Sequence, residues 1–290
     1  MTIKVEDNIV LLGAPRSGTS FLTSILHNPP SRVCLSEPRE IDELTQSSNS
    51  PKEFVSGLLV FMEQVRDSIA RGIPVENRID PLTGELAENY AVRSEKSSGN
   101  WEISSGFQWQ SQNIPIPMKK FQLLVKRNAP LVAVVDQLID CSDLTVLGML
   151  RDPIATILSW RSLDLPISQG HLHAAELISS ELRGLVTEPN LLLRQVKILN
   201  WIFERVSTYV PMHAIICYED LVDDPYSALA PTGLTISRKV SPLHSRNSSI
   251  YYDHSEVDRI WELIEKHAPH ILMFQGGRYG KTKGNRTSSA

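Results

Sequence analysis

A segment near the start of the chain constrains the fold more than any other. Residues 9–12 form a continuous apolar run. Gly13-Ala14-Pro15-Arg16-Ser17-Gly18-Thr19-Ser20 follows, and then Phe21, Leu22, Ile25 and Leu26 at helical spacing. A short run that is apolar at every position predicts a strand buried on both faces. Strand, glycine-bearing loop and helix in that order fit a parallel sheet, whose strands must be joined by crossovers. The loop suits an anion. Its glycines let the backbone curl so that successive N–H groups converge, and the next helix adds its positive end.

The pattern then repeats. Strands are predicted at 32–35, 121–125, 144–150 and 213–217, with helices at 51–71, 131–139, 154–160, 171–185 and 191–210. Asp152-Pro153 reads as a helix start, with an acidic N-cap and proline at the first helical position. The alternation predicts one α/β domain over 1–290, a central parallel sheet with helices on both faces. Ligands of such sheets sit beyond the carboxyl ends of the strands. Residues 73–118 break the rhythm and read as an insertion, either a lid or acceptor-binding region or a surface excursion. The stretch 276–290 is a glycine-rich basic tail.

Hydrophobic content of 41% and charged content of 21% are ordinary for a soluble globular protein. The net charge of −4 argues against a general nucleic-acid binder, so an anion site must be built locally. No apolar run reaches the ~18 residues that span a bilayer. The N-terminal stretch lacks the features of a secretory signal, so a cytoplasmic location is expected. Cys34, Cys141 and Cys217 are widely spaced, with no Cys/His cluster, and read as three buried thiols.

In the triphosphate-binding pattern G-x-x-x-x-G-K-[ST], Thr19 would stand where the lysine belongs and Ser20 at the hydroxyl position. The basic group is instead Arg16, which suits a shorter anion held by a guanidinium. Pro15-Arg16-Ser17-Gly18-Thr19-Ser20 resembles the 5′-phosphosulfate loop of sulfotransferases dependent on 3′-phosphoadenosine 5′-phosphosulfate (PAPS). The arginine places it closer to the carbohydrate and tyrosylprotein branches than to the phenol and steroid branch. A second stretch, Leu150-Arg151-Asp152-Pro153 through Ser159-Trp160, resembles the family's 3′-phosphate motif, with Arg151 and Ser159 reaching one phosphate.

The resemblance implies a P-loop-like fold, PAPS as donor, the 3′,5′-bisphosphate (PAP) as product, and no metal. Tyr218-Glu219-Asp220-Leu221 resembles a segment near the nucleotide, and Gly277-Arg278-Tyr279-Gly280-Lys281 a basic loop over the 3′-phosphate. Lys126 matches a lysine on the bridging oxygen of the donor. Asn128 stands where many cytosolic members carry a catalytic histidine, so Glu37 is the expected base, with Glu40 and Asp42 close enough to compete. Partial burial would raise its pKa toward neutrality; an ion pair with Arg39 or Arg16 is the alternative. His27, His171 and His173 read as solvated or packing residues. Trp101, Phe107 and Trp109 among amides suit a sugar or specialised-metabolite hydroxyl as acceptor, and equally an ordinary hairpin. The rival readings are a nucleotide kinase-like phosphotransferase and a non-catalytic protein that binds PAPS or PAP.

Overall fold

The structure is a computed structural model describing residues 7–29, 31–89, 91–95, 101–115, 120–237, 239–240 and 243–279. β1 (Asn8–Gly13) leads into α1 (Thr19–Leu26), β2 (Arg32–Ser36), α2 (Arg39–Ser47) and α3 (Pro51–Ala70). Four short strands follow, β3 (Val75–Ile79), β4 (Ala91–Glu95), β5 (Trp101–Ser105) and β6 (Gln108–Gln112). Then come β7 (Gln122–Lys126), α4 (Ala129–Ala133), α5 (Val135–Ile139), β8 (Leu144–Leu150) and α6 (Pro153–Arg161). The chain continues through α7 (His173–Ile178), α8 (Ser180–Leu185), α9 (Leu191–Tyr209) and β9 (Ile215–Cys217). The last elements are α10 (Tyr218–Asp223), α11 (Pro225–Leu229), α12 (Val257–His267) and α13 (Pro269–Tyr279).

The central sheet has five strands in the order β2-β7-β1-β8-β9, all parallel. Every residue of β2 and β8 is buried, and successive side chains point to opposite faces, so helices cover the sheet on both sides as expected. The chain runs from β1 to one edge, returns beside β1, then builds the other half from β8 outward. The β1/β8 boundary is therefore the switch point where such sheets open a crevice. Register levels the strand ends: Gly13 pairs with Met149, Ser36 with Lys126, and Leu150 with Cys217. The loops after these five strands thus open along one edge.

Several predicted elements are broken. The 131–139 helix divides at Val134, whose φ of −120° lies outside the helical range in a β-branched run. The 171–185 helix divides at Ser179, which is extended and whose hydroxyl accepts a bond from the Leu182 N–H at 3.2 Å. A 3₁₀ turn over Met212–Ala214 shortens the last core strand. The tail was expected to begin at 276, but α13 runs through Tyr279; residues 280–290 lie outside the described residues. Phe274 of α13 packs edge-on to Phe203 of α9 at 5.5 Å, an anchor that holds this helix to the core.

The 73–118 segment forms two antiparallel pairs, β3 with β6 and β4 with β5. Asn77 fastens it to the sheet. Its Nδ2 donates to the Cys34 carbonyl at 2.8 Å, and its Oδ1 accepts from the Ser36 N–H at 3.0 Å. Those backbone groups lie on the outer edge of β2, so the buried Asn77 amide supplies what a further strand would. Cys34 and Cys217 are buried, whereas Cys141 is only half-buried, and all three are free. Burial pushes the Cys34 thiol up to about 12, with Arg32 opposing. Among the described residues no helix is long and apolar enough to cross a membrane.

Candidate active site

The first loop is shaped by one close approach. A Cβ on Gly13 would lie 2.1 Å from the Met149 carbonyl oxygen, so only glycine lets β1 end against β8. Ser17 is fully buried and turned inward; its N–H and hydroxyl both donate to the Ala14 carbonyl, at 3.1 and 2.7 Å. Its side chain builds the loop instead of facing solvent. α1 begins at Thr19 with Gly18 as its cap and no side-chain cap, so its first N–H groups have no intrahelical partner.

The second anchor grips the first. Trp160 Nε1 donates to the Pro15 carbonyl at 2.7 Å, and Arg151 Nη1 to the Arg16 carbonyl at 2.9 Å. Ser159 Oγ lies 3.5 Å from Arg16 Nε. Asp152 caps α6 as expected, accepting from the Ala155 N–H at 2.8 Å. Arg151 is 6% exposed and extensively engaged: Nε donates to Asn247 at 2.8 Å, and Nη2 to the Arg246 carbonyl at 2.8 Å and the Tyr252 hydroxyl at 3.2 Å. Its guanidinium lies over the Tyr218 ring at 4.5 Å. Glu219 completes the lattice, accepting from the Asp152 N–H and from Asn247 Nδ2, both at 2.9 Å. Arg16 and Arg151 therefore stand on one side of the molecule. Arg151 braces the loop by its own contacts, and the hydroxyl of Ser159 is turned to Arg16.

The loops after β2 and β7 meet beside α1. Lys126, 1% exposed, donates to Glu37 Oε1 at 2.5 Å and to Ser20 Oγ at 3.2 Å. Glu37 Oε2 receives Arg78 at 2.6 Å and Arg127 at 3.0 Å, and Arg127 also pairs with Asp42. The partners of Glu37 are thus Lys126, Arg78 and Arg127; Arg39 pairs with Glu76 at 4.0 Å. Burial alone would raise the Glu37 pKa, and this is the largest single influence. The combined pull of Lys126, Arg78 and Arg127 overcomes it and holds the carboxyl well below its usual range, opposite to the shift expected from the sequence. Burial draws Lys126 down to about 8 against the pull of Glu37.

Arg16 (φ 69°) and Glu37 (φ 55°) are the described non-glycine residues with left-handed backbones. Such a conformation costs about 1–2 kcal/mol, and strain of this kind concentrates at functional sites.

These groups border a cavity of about 790 Å³, a size that accepts a nucleotide-scale ligand. Arg16, Arg78, Lys126, Arg127, Arg151 and Arg246 line it together with Glu37, Asp42 and Glu88. The wall carries a local excess of positive charge in a chain of net charge −4. Gly18, Thr19, Ser20 and Tyr218 also line it, whereas Ser17 and Ser159 do not. Leu165, Ile167, Leu172 and Leu177 make a more apolar stretch beside His171 and His173. Arg278 closes α13, and its side chain lies outside the described residues.

Arg78, Arg246 and Asn247 are not legible in the sequence, because the insertion matches no motif and residues 226–275 carry none of the expected elements. Phe107 and Trp109 do not line the cavity. Arg78 stacks over both, at 4.3 and 5.1 Å, and Arg39 over Trp109 at 4.5 Å. Trp101 has its side chain outside the described residues. His171 and His173, expected to be solvated or packing residues, border the cavity.

No protein-family model matches the chain, and no curated protein does. Among the solved structures that resemble it are two at 14% identity. One, from Alicyclobacillus acidocaldarius, has a TM-score of 0.44 and covers 96% of this chain and 97% of its own. The other, from Mycobacterium tuberculosis H37Rv, has a TM-score of 0.39 and covers 92% of this chain and 78% of its own. Both are sulfotransferases. At that distance the likeness adds nothing to what strand order and register already show.

Proposed function

We propose that this chain transfers a sulfuryl group from PAPS to an acceptor hydroxyl. One observation carries the reading. Lys126 touches both the anion loop, through Ser20 at 3.2 Å, and the carboxylate of Glu37 at 2.5 Å. A cation for the leaving oxygen, a cradle for the donor and a base thus meet at one point. The resemblance of residues 15–20 and 150–160 to the two nucleotide motifs supports PAPS as the donor.

In this reading the acceptor oxygen attacks sulfur and the bridging S–O bond breaks. The electron pair stays on the 5′-phosphate of PAP, where Lys126 stabilises it, and the acceptor proton passes to Glu37. Without ligand, three cations keep Glu37 a weak base. A bound donor competes for Lys126 and removes one of them. Burial then raises the Glu37 pKa against the remaining pull of Arg78 and Arg127, which makes it a stronger base than without the donor. Arg16 and the first amides of α1 hold the 5′ side, and Arg151 keeps the loop in shape. Tyr218 and Arg246 flank the 3′ side, with Arg278 as a further candidate. The apolar stretch from Leu165 to Leu177 favours an acceptor with an apolar body, such as a specialised metabolite, over a bare sugar.

Thermal denaturation with PAP, ATP or GTP tests the donor class, followed by transfer of label from PAPS in the presence of EDTA. Selective stabilisation by PAP and metal-free transfer are expected. Equal stabilisation by ATP, or transfer that depends on added Mg²⁺, would favour the phosphotransferase reading. Binding of PAP with no transfer to any hydroxyl acceptor would favour the non-catalytic one.

A further inference from the structure

His171, His173 and Glu176 bring three potential ligand atoms within 4.8 Å of one another at the edge of the cavity. His171 Nδ1 lies 3.3 Å from Glu176 Oε1 and Oε2, and His173 Nδ1 lies 3.6 Å from Oε2. A tetrahedral ion with bonds of about 2.0–2.1 Å needs ligand atoms roughly 3.3 Å apart. Two sides of the required triangle are therefore close to that length already. The third, between the stacked imidazoles with ring centroids 5.0 Å apart, closes by turning one ring. His173 can turn, because its side chain is 67% exposed.

The carboxylate is held in place. Glu176 is 15% exposed, and its Oε1 accepts from the Leu172 N–H at 2.6 Å. Such a contact orients a ligand in the way that outer hydrogen bonds do around metals. The spacing His171-x-His173-x-x-Glu176 explains why the three converge: the two histidines straddle the start of α7, and Glu176 reaches back from its first turn. Imidazole, imidazole and carboxylate are the ligand types preferred by zinc and its neighbours, not by magnesium or calcium.

We propose that His171, His173 and Glu176 form a site for one zinc-class divalent cation, with a fourth position left to water or a ligand. The site borders the same cavity as Lys126 and Glu37 but uses neither as a ligand, and it does not rest on the assigned reaction. Its ion would clamp the 165–173 approach to α7 along the apolar stretch of the cavity.

The test is titration of the full chain with Co²⁺ alone, read by visible absorption, then displacement by Zn²⁺. One equivalent giving the intense bands of a four-coordinate ion, bleached by Zn²⁺, is expected. His173→Ala alters an exposed side chain, so the fold should survive. Glu176→Gln keeps an oxygen for the Leu172 N–H while removing the ligand charge. Each should weaken binding by at least about tenfold with an unchanged circular dichroism spectrum. Absence of saturable binding in the unaltered chain, or equal binding by both variants, would overturn the proposal.

Discussion

Replacing Glu37 with glutamine removes one negative charge and almost no volume. It leaves Lys126, Arg78 and Arg127, whose side chains are 1%, 12% and 18% exposed, without the carboxylate they share. Removing one partner of a buried ion pair costs about 3–5 kcal/mol. Arg127 keeps Asp42 and Arg78 keeps its aromatic stack, so the lower figure applies. For a chain of 290 residues about 3 kcal/mol lowers the melting midpoint by roughly 5 °C. The same change should strengthen PAP binding, because Lys126 no longer has to leave a carboxylate. A charge-assisted bond of about 1.5 kcal/mol corresponds to roughly tenfold in affinity.

Turnover should fall, since the base is gone. The pH dependence follows from the depressed Glu37 pKa. Its stabilisation is present above the ordinary carboxylate value of 4.5 and is lost as pH falls below it. The stability gap between the two proteins should therefore narrow in acid. Calorimetry across pH and titration with PAP measure both quantities. An unchanged midpoint, or PAP affinity that falls together with turnover, would refute the competition between Glu37 and the donor for Lys126.

Four further outcomes are expected. Lys126→Ala should lower turnover by about a hundredfold or more while costing PAP affinity far less; equal losses would remove its role on the leaving oxygen. Trp160→Phe should cost about 1 kcal/mol, by losing the bond to the Pro15 carbonyl, and should raise the donor KM in steady-state kinetics. Asn77→Ala should cost about 2–4 kcal/mol, because the Ser36 N–H and Cys34 carbonyl lose their partner, and should speed proteolysis within the insertion. Gly13→Ala should destabilise by at least about 2 kcal/mol in chemical denaturation, since the Met149 backbone cannot yield as a side chain would.

The parts of the fold that the sequence disclosed are those with strong local signals. Buried parallel strands read as apolar runs, and loop glycines, Asp152-Pro153 and strand-end charges mark where the chain turns. Register then accounts for the candidate site: Glu37 and Lys126 are 89 positions apart and become neighbours because Ser36 pairs with Lys126. The missing parts depend on tertiary contacts. Nothing about Arg78 in the sequence says that Asn77 will bind the edge of β2 and place its neighbour on Glu37. Arg246 and Asn247 lie in a Ser-rich stretch with no periodicity, and only tertiary bonds, to Arg151, Tyr218, Glu219 and Asn89, give them a place. The raised pKa expected for Glu37 considered burial without the arginines that burial brought along. α12 was legible in principle, with Ile260 and Ile264 one turn apart and both buried, but the motif resemblance ended before it.

The left-handed turns at Arg16 and Glu37 bear on any attempt to harden this protein. A glycine at either position would adopt the same backbone freely and return about 1 kcal/mol or more. Selection for heat resistance alone would thus reward erasing the guanidinium at 16, whereas at 37 the ion pairs lost with Lys126, Arg78 and Arg127 outweigh the backbone gain. A library ranked only by melting point should enrich glycine at 16 over 37, and its survivors should be the variants least able to hold an anion.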